Sequence, residues 1–135
     1  MEIKASCTGA RLLAAELGGA SIHVEQGTSA IVEMYGELMA TRVKAFASGR
    51  PGPNAPTGDY RRSWTAEFTR KNGNAASQVG TNKVQGRRLE FGFVGADSLG
   101  RIYNQPPYEH LQPAIAVIEP QFYAAMSAYL KAVLP

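Results

Sequence analysis

The apolar positions of the chain fall into two helical repeats separated by a stretch that alternates residue by residue. Val32, Tyr35, Met39, Val43 and Phe46 recur at spacings of three and four, which places them on one stripe of a helix running from about residue 20 to 48. Ile31 and Leu38 widen that stripe, and Glu33, Glu37, Arg42 and Lys44 fall largely off it. Met39 reads as core filling. Ahead of this helix, Leu13 and Leu17 share a face in an alanine-rich segment from Thr8 to Leu17, a short helix that Gly18-Gly19 is expected to end. Residues 2–6 suit a short strand. Near the other terminus Ile115, Ile118, Phe122, Met126, Tyr129 and Val133 repeat the helical spacing. Pro120 interrupts them. It lacks a backbone donor and crowds the preceding turn, so a short helix is expected before it and a longer one from about Glu119 to Leu134, with Pro120 at the first helical position.

Between the helices the pattern changes. Residues 49–58 hold three prolines and three glycines, which a helix cannot absorb, so they form a loop. Trp64, Ala66 and Phe68 alternate with Thr65, Glu67 and Thr69, as in a half-buried strand. The Asn72-Gly73 turn signal follows, and Ala75, Ser77 and Val79 share a face of a returning strand, completing a hairpin. Residues 83–93 read two ways: Leu89, Phe91 and Phe93 alternate like a strand, while 84–90 would also make a turn or two of helix. Residues 94–108 show no clear period and suggest a long loop. The architecture expected is α+β, with a long amphipathic helix and a C-terminal helix packed on a small antiparallel sheet, and with long loops.

A chain of 135 residues supports one core, so 1–135 is taken as a single domain. The first residues carry no apolar signal core, and no stretch approaches the roughly 18 apolar residues of a membrane span. Secretion and membrane insertion are therefore not expected. The net charge of +3 is too small to indicate a dedicated nucleic-acid binder by itself. Cys7 is the one cysteine, so no intramolecular disulfide can form, and an inert, partly buried thiol is expected. His23 and His110 lie far apart in sequence and belong to no metal-ligand spacing; a structural or surface role is expected for His110. No phosphate loop and no carboxylate pair suited to acid–base work is present. Neither catalysis nor a metal or organic cofactor is expected.

The basic residues come in pairs: Arg61-Arg62, Arg70-Lys71 and Arg87-Arg88. Solvated strand ends and loops explain such pairs in general. Tyr60 and Trp64 beside Arg61-Arg62 make that pair the stronger interface candidate, because aromatic residues and arginine are enriched where proteins meet. The interface residues expected are Tyr60, Arg61, Arg62, Trp64, Arg87 and Arg88.

Five motifs in order also resemble one family. A long amphipathic helix ending in small residues is followed by Ala55-Pro56-Thr57-Gly58-Asp59-Tyr60-Arg61-Arg62-Ser63. Then come Val79-Gly80-Thr81 after the hairpin, the triplet Glu90-Phe91-Gly92, and a proline-rich approach, Pro106-Pro107-Tyr108-Glu109-His110-Leu111-Gln112-Pro113-Ala114-Ile115, to the last helix. In this order, over roughly residues 20–134, the chain resembles the tail-completion or head–tail joining (neck) proteins of long-tailed phages, the gene-product-ten-like family. It departs from the family pattern at Arg87-Arg88-Leu89, where members often have Tyr-Ala, and in the length of Val94 to Gln105.

The resemblance implies a structural virion protein that joins the DNA-filled head to the tail. Identical subunits, six by analogy with the tail, would form a ring between head-closure or connector proteins and tail-terminator or tail-tube proteins. Phage DNA would pass through the channel without sequence-specific binding. A ring requires two different patches of each subunit to meet. Assembly would take place in the host cytoplasm. The alternatives are a tail terminator or minor capsid protein and, in a different class, a small DNA-binding protein using its paired arginines, which would bind DNA in a salt-sensitive manner.

Overall fold

Both helical repeats become long antiparallel helices, and the alternating stretch becomes a hairpin laid against the first of them. The computed structural model describes residues 7–134, with side chains from residue 18 onward except that of Ala20. The strand expected at 2–6 lies outside the described residues, as does the side chain of Cys7. The fold is α+β: α1 (Cys7–Phe46), α2 (Asp59–Arg62), β1 (Thr65–Lys71), β2 (Asn74–Gly80), α3 (Gly86–Phe91), β3 (Phe93–Ala96), β4 (Ile102–Gln105) and α4 (Leu111–Val133). There are two antiparallel two-stranded sheets, β1–β2 and β3–β4. No helix among the described residues is long and apolar enough to cross a membrane.

α1 is the central element, with α4 along it and the β1–β2 hairpin across it. Its 40 residues make a rod of about 60 Å. Two helices were expected here, but one runs through Gly18-Gly19. Neither glycine takes the positive φ of a helix-ending residue, so the pair only weakens the helix, by about 1 kcal/mol each relative to alanine. Of the apolar stripe, Val43 is fully buried, Val32, Tyr35, Met39 and Phe46 are partly buried, and Leu38 is exposed. The helix stops where Gly49, at φ 126°, turns the chain, and Gly49 N–H donates to Pro53 O at 3.0 Å. Gly52 then passes so close beneath the helix end that a Cβ there would lie 1.9 Å from Phe46 O.

α4 was expected to break at Pro120 and does not. Pro120 and Ala116 are both exposed, so the carbonyl that loses its partner faces water and the helix continues on the packing of its other face. Ile118 is buried, and Phe122 meets Tyr35 edge-on at 5.8 Å between ring centroids. The Tyr129 hydroxyl donates to His23 O.

The β1–β2 hairpin follows its sequence pattern closely. Thr65 pairs with Gly80 and Lys71 with Asn74, leaving Asn72 and Gly73 as a two-residue turn with φ 52° and 78°. Ala66, Phe68, Ala75, Ser77 and Val79 point inward. Ser77 Oγ donates to Val32 O at 3.0 Å, and a Cβ on Gly36 would sit 2.5 Å from Ser77 Cβ. Gly36→Ala should therefore lower stability by about 1–2 kcal/mol, since crowding of about 1–3 kcal/mol exceeds the gain of about 1 kcal/mol in helix propensity. Gly18→Ala, with no neighbour within 4 Å, should raise stability by up to about 1 kcal/mol. Urea midpoints of the two variants test this opposition of sign.

Residues 94–108, expected as a loop, contain the β3–β4 hairpin. Phe93 pairs with Gln105 and Ala96 with Ile102. The turn is built around Asp97, whose Oδ1 accepts from the backbone N–H of Leu99 and Arg101, each at 2.9 Å, while Oδ2 binds Arg101 Nε at 2.6 Å. No alternation announces these strands because their apolar side chains lie largely in solvent. In the ambiguous stretch before them, 86–91 is helical. Gly92, at φ 77°, redirects the chain where a Cβ would meet Gln105 O at 2.8 Å.

Candidate partner interface

One buried cluster carries both of the arginine pairs singled out from the sequence. α2 is a single turn, and it places Tyr60 inward while Arg61 and Arg62 remain at the surface. Ser63 Oγ then bonds Thr81 Oγ1 at 2.5 Å, and Trp64 turns inward beside Tyr60, with ring centroids 6.3 Å apart. α3 repeats the arrangement from the other side: Arg87 and Arg88 are exposed, Leu89 is half-buried, and Glu90 is buried. His110 lies between the two elements with its ring fully enclosed.

The polar side chains of this cluster are hydrogen-bonded except the Trp64 indole, whose buried Nε1–H has no partner among the described residues. Glu90 Oε2 accepts from the backbone N–H of His110 and Leu111 at 3.0 and 2.9 Å, and Oε1 accepts from Gln112 N–H at 2.9 Å. The carboxylate therefore caps the N-terminus of α4, where three N–H groups have no partner within the helix. His110 Nδ1 faces two acceptors, Tyr108 O at 2.8 Å and Glu90 Oε2 at 3.0 Å, and so carries a hydrogen. In the neutral ring Nε2 then accepts from the Tyr60 hydroxyl at 2.6 Å. Burial by itself would raise the Glu90 pKa, but the N–H bonds from Leu111, His110 and Gln112, helped by His110, outweigh it and hold the group below its ordinary value. Burial pushes the Tyr60 phenol upward, and the charge of Glu90 adds to that.

Tyr60 and Trp64, expected at an interface, are only 6% and 5% exposed. Their aromatic bodies are spent largely on the core with His110, where they support the arginines beside them. Arg61 is half-buried and reaches Ser48 Oγ at 3.2 Å; Arg62 pairs with Asp59 at 2.5 Å. Gly58, at φ 75°, leaves room for that pairing, since a Cβ there would lie 2.7 Å from an Arg62 guanidinium nitrogen. Arg88 lies over the Phe93 ring at 3.9 Å. Arg50 similarly covers Tyr108 at 3.7 Å, tying the loop after α1 to the approach to α4.

The surface around α3 holds residues that the sequence pattern did not single out. Val84 and Phe91 are 93% and 67% exposed. With Lys83 and Arg87 they line a hollow of about 330 Å³ whose wall includes Trp64 and Glu90. Val94, Leu99 and Ile102 extend the exposed apolar surface along the β3–β4 hairpin. Solvated apolar side chains interspersed with arginine are the composition of a binding surface. Phe91 stood in the alternation of Leu89, Phe91 and Phe93, whereas Val94, Leu99 and Ile102 gave only an apolar content without a period. Among the described residues, no group of three histidine, cysteine, aspartate or glutamate side chains could hold a metal ion. Comparison of the chain with family models, curated proteins and solved structures gave no match.

Proposed function

We propose that this chain is a structural subunit of the neck of a long-tailed phage, one of a ring of identical copies that joins the filled head to the tail around the DNA channel. The observation that carries this reading is the surface formed by α3 and the β3–β4 hairpin, where Val84, Phe91, Val94, Leu99 and Ile102 are exposed beside Arg87 and Arg88. An assembly subunit needs such a surface; an isolated chain gains nothing from exposing it. The five motifs that resemble neck proteins support the same reading, and several of their residues have structural work here. Tyr60 and Glu90 meet at His110, and the proline-rich approach delivers His110 to that meeting point. The burial of the cluster, with Tyr60 and Glu90 both bonded to His110 and Glu90 capping α4, favours a structural role over catalysis.

Arg61→Ala combined with Arg62→Ala should leave the melting temperature within a few degrees of wild type, because exposed or half-exposed ion pairs contribute little to stability. The same double variant should block head–tail joining, read as a large drop in infectious particles with filled heads and separate tails accumulating. Normal yields from the double variant would count against the reading. Gel-shift titration with duplex DNA separates the other class: tight, steeply salt-dependent binding by the purified chain would favour a DNA-binding protein instead.

A further inference from the structure

One face of α1 is acidic and apolar at once. Glu33, Met34, Glu37 and Leu38 are all exposed. Residues four apart on a helix are neighbours, so the two glutamates form one row, and Met34 and Leu38, 49% and 41% exposed, form the row beside it. Among the described residues neither glutamate has an ion-pair partner. The helix offers them none, because the positions three and four residues from each hold only Ser29, Ala30, Met34, Gly36, Ala40, Thr41 and the other glutamate. The two carboxylates therefore repel each other with no cation between them.

The surface of α3 is the converse. Val84 and Phe91, 93% and 67% exposed, line one hollow with Lys83 and Arg87. Both cations are exposed, and among the described residues neither has an ion-pair partner. The one carboxylate in the hollow's lining, Glu90, is committed to three backbone N–H groups at the start of α4 and to His110.

We propose that the α3 surface of one copy of this chain docks on the acidic face of α1 in a second copy, with Val84 and Phe91 against Met34 and Leu38, and Lys83 and Arg87 against Glu33 and Glu37. Each patch sets two apolar side chains beside two unpaired charges, and the charges are opposite in sign. Neither patch suits a copy of itself, since like charges would then face each other. The contact is therefore between unlike patches, which is what a ring requires. The inference deepens the reading above by naming the surface that α3 meets, and it rests on that reading for the closing of the ring.

The test uses the full chain with Cys7→Ser, carrying both Leu38→Cys and Val84→Cys, oxidised at millimolar concentration in low salt. The expected result is a ladder of covalent oligomers at least tenfold more abundant than from either single-cysteine chain. It should shrink at least tenfold in about 1 M salt, where charges are screened beyond about 3 Å. Lys83→Glu with Arg87→Glu should remove the ladder, and adding Glu33→Lys with Glu37→Lys to that chain should restore it, a recovery that misfolding cannot produce. Circular dichroism should show unchanged melting, since all four side chains are exposed. The proposal is overturned by no cross-linking, by single-cysteine chains that cross-link as well, or by a disulfide closed within one chain. It is equally overturned by a ladder indifferent to salt or one that reversing all four charges does not restore. An intact ladder, with normal infectious yields from the Arg61, Arg62 double variant, would keep this contact and remove the neck reading. No ladder, with joining lost in that variant, would do the reverse.

Discussion

Glu90→Ala should lower the stability of the chain by about 3–5 kcal/mol, the largest loss expected from any single carboxylate here. The carboxylate is 4% exposed and accepts three backbone N–H groups at the start of α4. Removing it strands the enclosed His110 N–H, at about 1–3 kcal/mol, and takes the acceptor from the partly buried N–H groups of Leu111 and Gln112 at a smaller cost each, in addition to the lost cap. Such a value lies at the upper end of single-substitution effects. Glu90→Gln keeps the volume and one acceptor oxygen but turns an amide N–H toward backbone donors, so roughly half the loss is expected. The pH dependence has a definite sign. The folded-state pKa of Glu90 lies below the ordinary 4.5, so its stabilising contribution is complete above about pH 4.5 and is lost as pH falls through the folded value. Wild-type melting temperature should drop below pH 4.5, and the drop should be shallower in Glu90→Gln. Thermal melts between pH 3 and 7 measure both; parallel curves for the two proteins would contradict the capping role.

His110→Phe should cost about 2–4 kcal/mol even though it preserves the ring's shape. The imidazole is fully enclosed and bonded at both nitrogens, to Tyr60 on one side and to Tyr108 O and Glu90 on the other. A phenyl ring leaves the Tyr60 hydroxyl and the Tyr108 carbonyl short of a partner, at about 1–3 kcal/mol for each group left unsatisfied. The edge-on contacts of this ring with Tyr60 and Trp64, at 5.5 and 5.4 Å, survive the change. Tyr60→Phe alone should cost about 1–2 kcal/mol by leaving Nε2 without its donor. The double variant should cost less than the sum by at least about 1 kcal/mol, because removing both ends of one bond strands neither. Urea denaturation of the four proteins closes this cycle, and strict additivity would show that the Tyr60–His110 bond contributes nothing.

The sequence by itself determined the elements whose residues face one way. Val32 to Phe46 and Ile115 to Val133 each bury one stripe, so their spacing marks the helices. Ala66 and Phe68 opposite Ser77 and Val79 bury one face, so alternation and the Asn72-Gly73 turn mark the hairpin and its register. Breakers were legible only as far as their surroundings agreed. Gly49 and Gly52 end a helix where the chain must turn, but Gly18-Gly19 and Pro120 sit in helices that continue around them, and a residue's propensity does not record that its freed carbonyl faces water. The β3–β4 hairpin was hidden because Val94 and Ile102 stay in solvent, and no core imposed a period on them. Only the tertiary structure decided which polar residues meet. Tyr60, Glu90 and His110 are separated by 30 and 20 positions in the chain, and no local pattern ties a carboxylate to the start of a helix 21 residues later. Their bonds depend on desolvation, which exists only after α2, α3 and α4 have closed on one another, and that same closure turned Tyr60 and Trp64 from interface candidates into the buried support of the arginines beside them.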